Sequence, residues 1–276
     1  MKTGRAKRRF IQVICAVLYN CNITGFAKGK IYQGKVKGAC VPGLNCYSCP
    51  GAVGACPLGS LQQALVSSKY KFNYYVLGIL LLFGVILGRV VCGFLCPFGL
   101  IQELLYKLPT KKIRKGTWSQ VMSYLKYVIL AVLVIGIPLA INVPGFCKYV
   151  CPAGTLEGGI PLVLMQEKLY ELAGALFTWK MIVLIVILLA SVFIFRFFCR
   201  FICPLGAIYS LFHKVSLCGV EVDEKKCIGC NICVRECLMD VKCVGDHECI
   251  HCGECIEKCP TGAINYKNRM MFSEHK

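Results

Sequence analysis

The sequence predicts an α-helical membrane protein, four transmembrane helices in two parallel repeats, followed by a small C-terminal α+β domain. Three observations carry this expectation: 57% apolar residues in a chain of 276, apolar stretches that recur with one cysteine motif, and two runs of four cysteines near the C-terminus. A soluble chain of this length holds a smaller apolar share.

Four stretches are long enough to cross a bilayer: Phe10 to Phe26, Phe72 to Val91, Met122 to Ile141 and Met181 to Phe198. The last, roughly 18 residues, would make about 27 Å of helix against an apolar core of about 30 Å. The first is the most polar, with Asn20, Asn22 and Thr24 toward its end. Its basic lead of Lys2, Arg5, Lys7, Arg8 and Arg9 also suits a secretory signal, but no small-x-small cleavage site follows, and Leu18-Tyr19-Asn20-Cys21 is no lipoprotein box.

Basic residues orient the helices. With four crossings, the N-terminal tail and the connection bearing Lys107, Lys111, Lys112, Arg114 and Lys115 share one face. Both termini are therefore expected in the cytoplasm, in a multi-pass protein of a prokaryotic plasma membrane. Lys28, Lys30, Lys35, Lys37, Lys69 and Lys71 in the first exterior loop oppose this pattern, so the contrast comes mainly from the second exterior loop. Residues 1–213 are then the membrane domain and 214–276 a cytoplasmic domain.

Self-comparison shows the repeat. Gly88-Arg89-Val90-Val91-Cys92-Gly93-Phe94-Leu95-Cys96-Pro97-Phe98-Gly99 aligns without a gap on Phe195-Arg196-Phe197-Phe198-Cys199-Arg200-Phe201-Ile202-Cys203-Pro204-Leu205-Gly206. Cys56-Pro57-Leu58-Gly59-Ser60-Leu61 aligns on Cys151-Pro152-Ala153-Gly154-Thr155-Leu156. A helix and a cysteine motif thus alternate twice in parallel orientation. A pseudo-two-fold axis along the membrane normal would gather Cys92, Cys96, Cys199 and Cys203 on the inner face. On the outer face it would gather Cys147 and Cys151 with two of Cys46, Cys49 and Cys56, and Cys40 is a further candidate there.

Each Cys-Pro step suits a helix start, with cysteine as N-cap and proline at the first helical position. The helix N-terminus then faces the thiolates and offsets negative charge, while Arg89 and Arg196 are placed to snorkel to the same face as cofactor-binding residues. Gly99 and Gly206 let backbone come close. Capped re-entrant helices with buried structural cysteines are the bland alternative.

The C-terminal runs are more specific. Cys227-x2-Cys230-x2-Cys233-x3-Cys237 precedes Cys249-x2-Cys252-x2-Cys255-x3-Cys259-Pro260. This is the spacing of a two-cluster ferredoxin, in which the fourth cysteine of each run serves the other cluster. Cys227, Cys230, Cys233 and Cys259 would hold one [4Fe-4S] cluster, and Cys249, Cys252, Cys255 and Cys237 the second. Structural zinc seldom uses eight cysteines in such a doubled pattern. Leu238 replaces the usual proline, and Cys218 and Cys243 lie outside the pattern. The same rule leaves an alternative open in the membrane, because Cys-x-x-x-Cys-Pro is also the spacing of two ligands that serve different clusters.

The formal charge of +18 counts cysteines as neutral. Four oxidised clusters, two in each part of the chain, would lower it to about +10. The excess suits anionic lipid headgroups, and no nucleic-acid module is visible. There is no Cys-x-x-Cys-His, no histidine within an apolar stretch and no Gly-x-Gly-x-x-Gly, so haem and dinucleotide sites are not indicated. Glu103, Glu157 and His213 lie near the membrane faces, where solvated or interfacial roles are expected ahead of handling quinone protons. Cys15 and Cys21 read as plain apolar residues.

With Cys92-Gly-Phe-Leu-Cys96-Pro-Phe-Gly, Cys147-Lys-Tyr-Val-Cys151-Pro-Ala-Gly and Cys199-Arg-Phe-Ile-Cys203-Pro-Leu-Gly, the chain resembles the NapH/MauN-type membrane ferredoxins and the C-terminal part of NosR-like proteins. That resemblance implies electron transfer between a cytoplasmic or quinol-linked donor and an exterior reductase or flavoprotein, with redox partners on both faces and quinone as a further candidate partner. No substrate pocket of its own is visible. A redox or oxygen sensor is the rival from the regulatory class, and a metal-reducing assembly factor is the second. The absence of a signalling domain disfavours the sensor.

Overall fold

The computed structural model describes residues 3–67, 73–166 and 174–268. Lys2, Lys69, Lys71 and Phe72 of the charge and hydropathy arguments lie outside these. Helix α1 (Thr3–Tyr19) carries the basic lead and then exposes Phe10, Val13, Val17 and Leu18. It stops where Asn20 turns its side-chain amide onto the Ala16 carbonyl at 3.0 Å and onto Asn45 at 2.9 Å. An asparagine that satisfies backbone groups locally competes with helix continuation. The expected span from Phe10 to Phe26 is therefore broken, and a short α2 (Ile23–Lys28) closes on left-handed Gly29.

Helix α3 (Pro57–Val66) is a capped segment beneath the cysteine loop. Helix α4 (Tyr74–Ile86) has 13 residues, about 20 Å at 1.5 Å per residue, shorter than the stretch read from hydropathy. Gly88, at φ +50°, turns the chain after α4, and a π-type turn over Val91–Leu95 leads to α5 (Pro97–Leu105). Two helical runs are long and apolar enough to cross a membrane: α6 (Thr117–Ile141) and α9 (Ala175–Phe193). Between them lie α7 (Gly145–Tyr149) and α8 (Gly154–Met165). Val128, Val132 and Leu139 of α6 and Ile182, Val186 and Leu189 of α9 are exposed, the surface a lipid contact requires. Helix α9 ends five residues before Phe198, because Ile194 is extended and Arg196 takes a left-handed conformation at φ 50° before α10 (Phe197–Phe201) and α11 (Pro204–Leu211).

The core runs between the cysteine motifs. Phe98, Phe146 and Phe198 are fully buried, with Phe198 edge-on to Phe98 at 5.1 Å and tilted against Phe146 at 6.4 Å. After α11, strand β1 (Cys218–Val222) pairs antiparallel with β2 (Ile264–Asn268), Val220 opposite Tyr266. Two short helices, α12 (Ile232–Arg235) and α13 (Glu254–Lys258), lie between the strands in sequence and pack together. The chain is thus mostly helical with one two-stranded sheet among the described residues.

Buried ion pairs fasten the C-terminal segment to the helices. Glu248 pairs with Arg89 at 2.9 Å and with Lys126, and Asp240 pairs with Arg200 at 2.6 Å. Removing one partner of such a pair strands a charge in low dielectric, at a cost of about 3–5 kcal/mol. Glu103 receives Arg8 at 2.7 Å and Arg196 at 2.6 Å, which ties α1, α5 and the start of α10 together.

Candidate metal centres

The proline that follows each motif cysteine starts a helix. Cys56, Cys96 and Cys203 are N-caps with Pro57, Pro97 and Pro204 at the first helical position. Gly154 and Gly206 donate backbone N–H groups to the Cys151 and Cys203 sulfurs, each at 3.4 Å. These orphan amides of a helix start carry the positive end of its dipole.

On one side the chain gathers Cys92, Cys96, Cys199 and Cys203. Every pair within this set is close enough for one thiolate charge to act on another. This is the grouping expected from the repeat, and Cys92 and Cys96 lie together. The other side gathers around Cys151, which hydrogen-bonds Cys147 and lies close to Cys46 and Cys56. Gly154 and Gly59 make room for it. A methyl group on Gly154 would stand 3.7 Å from the Cys151 sulfur and 3.8 Å from that of Cys46, and one on Gly59 would stand 3.8 Å from that of Cys147. Tertiary contact thus brings Cys46 and Cys56 next to Cys151. Cys49 is also buried but neighbours Cys46 and Lys37, and Cys40 faces Ser60 at 3.7 Å.

The two sets are close to each other. The Tyr209 hydroxyl donates to the Pro42 carbonyl at 2.9 Å, and that side chain feels Cys56 from one set and Cys92, Cys96 and Cys203 from the other. The loop before Cys46 reaches the inner motif, since a methyl group on Gly43 would lie 3.0 Å from the Leu95 carbonyl oxygen.

The C-terminal cysteines surround two cavities. Cys237, Cys249, Cys252 and Cys255 line one of about 210 Å3, and Cys227, Cys230, Cys233 and Cys259 line one of about 180 Å3, with Cys233 also bordering the first and Cys243 the second. Cys237 thus lies with the second run and Cys259 with the first. Each volume far exceeds the roughly 30 Å3 share of one water. Among the described residues no three metal-binding side chains converge on a point for a single ion. Thiols spread around a volume larger than an ion fit a polynuclear cluster.

Unpartnered buried donors agree with an anionic guest. Asn45 Nδ2, beside Cys46, and Arg89 Nε and Nη2 have no hydrogen-bond partner among the described residues. Arg89 acts on Cys92, Cys199 and Cys249, so its charge lies between the inner set and a C-terminal set.

Several expectations are corrected. Arg89 and Arg196 do not snorkel, since both are fully buried. Arg89 donates to Glu248 and to the His247 carbonyl at 2.6 Å, and Arg196 to Glu103 and to the Cys92 carbonyl at 2.5 Å. Glu103 is likewise buried in its arginine pair rather than solvated. Glu157 accepts from the Cys46 backbone N–H at 2.7 Å. Sequence reasoning missed Gln62 and Gln102, both fully buried, which reach Cys147 and Cys199 at 3.1 Å. Both stand six residues after the cysteine of a Cys-Pro step, Gln62 after Cys56 and Gln102 after Cys96, and that shared offset was the available signal.

Comparison with known proteins points to the same iron-sulfur chemistry. A 4Fe-4S binding domain model matches residues 72–116, 127–160 and 176–217, one motif in each segment, and a second 4Fe-4S binding domain model matches 242–265. An uncharacterized protein of Methanocaldococcus jannaschii is 31% identical over 219 residues, which cover 76% of this chain and 76% of that relative. The putative electron transport protein YccM of Escherichia coli is 25% identical over 74% of this chain and 58% of its own length. The methylamine utilization ferredoxin-type protein MauN of Methylobacillus flagellatus is 29% identical over 59% of this chain and 51% of its own length. No solved structure matches the chain. Repeated 4Fe-4S binding domains, two apolar helices of membrane-spanning length and electron-transport relatives make this an iron-sulfur electron-transfer protein, and the chain belongs to the MauN-type polyferredoxins.

Proposed function

We propose that this protein passes electrons across a prokaryotic plasma membrane, between a cytoplasmic donor and an exterior reductase or flavoprotein. Cys227, Cys230, Cys233 and Cys259 hold one [4Fe-4S] cluster, and Cys249, Cys252, Cys255 and Cys237 hold a second, in a cytoplasmic ferredoxin domain over 214–276. Cys92, Cys96, Cys199 and Cys203 hold a third, and Cys46, Cys56, Cys147 and Cys151 a fourth, within a four-helix membrane domain over 1–213. One-electron storage is the chemistry such clusters supply when bound. The chain's own residues space the thiols, exclude water and place Arg89 and Arg196 against the accumulated negative charge.

The observation that carries this reading is the contact between Gly93 and Ile250. Gly93 follows Cys92, Ile250 follows Cys249, and a methyl group on Gly93 would lie 2.3 Å from the Ile250 carbonyl oxygen. Cys233 and Tyr209 make the corresponding links at the two ends. Four thiol sets in series, adjacent set to set, form a conduit rather than four isolated structural sites.

The test is reconstitution of the intact protein in sealed vesicles, with a reductant on one side and an impermeant dye on the other. Dye reduction that stops when Cys96 or Cys203 is replaced by serine is the expected outcome. Transfer that persists in both variants overturns the conduit.

A further inference from the structure

Gln62 and Gln102 stand six positions after Cys56 and Cys96, at the same offset from the second cysteine of two successive Cys-Pro motifs. Each is completely buried on the helix that its own cysteine caps. Each reaches across to the other half of its thiol set with the same pair of contacts. The Gln102 Oε1 accepts from the Phe198 backbone N–H at 2.9 Å, and its Nε2 donates to the Cys199 sulfur at 3.1 Å. The Gln62 Oε1 accepts from the Phe146 backbone N–H at 3.0 Å, and its Nε2 donates to the Cys147 sulfur at 3.1 Å. The backbone amide can only donate, so it fixes which end of each side chain is oxygen, and the NH2 group must be the end at sulfur.

We infer that Gln62 and Gln102 are positioning residues that each set the reduction potential of one membrane cluster. An N–H donated to a thiolate sulfur offsets the charge added on reduction, and hydrogen bonds to sulfur are among the determinants of cluster potential. Burial strengthens the effect, since no water competes for the sulfur. The equivalent positions after Cys151 and Cys203 carry Glu157 and Tyr209. Neither donates to a sulfur: Glu157 accepts from Cys46 N–H, and Tyr209 donates to the Pro42 carbonyl. One side-chain amide per set is therefore the built feature, and the two sets are tuned separately.

This inference rests on the proposed clusters, and the test separates the two. Redox titration of the full-length protein, followed by electron paramagnetic resonance, is run on the wild type and on Gln62→Met and Gln102→Met, with iron and sulfide assayed in each. Met fills the space without a donor. In the expected result Gln102→Met moves to more negative potential only the signal that Cys203→Ser abolishes, and Gln62→Met moves only the signal that Cys151→Ser abolishes. If a Met variant loses its cluster outright, with roughly four of sixteen irons gone, the amide holds the cluster rather than setting its potential, and the inference is overturned. Loss or movement of the other signal overturns it, as do unshifted potentials at full iron content. A wild type without membrane signals instead defeats the proposed clusters themselves.

Discussion

Gly93 packs its α-carbon against the Ile250 carbonyl so closely that a side-chain methyl group there would sit 2.3 Å from the oxygen. This contact joins the inner membrane motif to the second C-terminal cysteine run, with no room for any other residue type. Gly93→Ala must push the two apart, and overpacking of this kind costs about 1–3 kcal/mol. Electron transfer from the C-terminal clusters to the inner one is expected to slow while the iron content stays at the wild-type level. Stopped-flow reduction of the purified protein checks this, and an unchanged rate would remove the contact from the path.

Glu103 binds Arg8 and Arg196 at once. Burial disfavours its charge, but Arg196 and then Arg8 outweigh that and hold the carboxyl below the ordinary carboxylate range. A depressed folded-state pKa stabilises the protein above the unfolded pKa, and the contribution disappears as pH falls through the folded value. This interaction is therefore constant through neutral pH and lost only in acid. Glu103→Gln leaves two buried guanidinium groups without their carboxylate and should destabilise by roughly 3–5 kcal/mol. Thermal unfolding in detergent, compared between wild type and variant at neutral pH and at acid pH, should show the difference narrowing in acid.

The cluster count is a direct assay. Four cysteine sets predict roughly sixteen iron and sixteen sulfide per chain. Iron near eight would mean that the membrane sets hold no cluster. Cys96→Ser and Cys203→Ser should abolish the same spectroscopic signal, and the double variant should lose little more, since residues of one unit are non-additive.

Topology is testable with an impermeant thiol reagent on intact cells that hold the apo protein. Cys21 and the thiols around Cys46 should react from outside, and Cys227 and Cys230, both exposed on the C-terminal segment, should not. Labelling of Cys227 from outside would reverse the orientation.

The sequence by itself determined what is local. The cysteine spacings and the Cys-Pro helix starts were legible because each depends on a few consecutive residues. The helical runs after Thr117 and before Phe193 were legible from apolar length alone. Hydropathy did not show the break at Asn20, since it averages over the side-chain hydrogen bonds that end a helix, nor the turn that left-handed Gly88 makes after α4. Only the tertiary structure brings Cys46 and Cys56 next to Cys151, because contacts between distant segments set which thiols lie together. It also turned Arg89 and Arg196 from expected surface charges into buried ones. A guanidinium can be desolvated only where carboxylates such as Glu248 and Glu103 meet it, and their arrival depends on how the C-terminal segment and α5 pack.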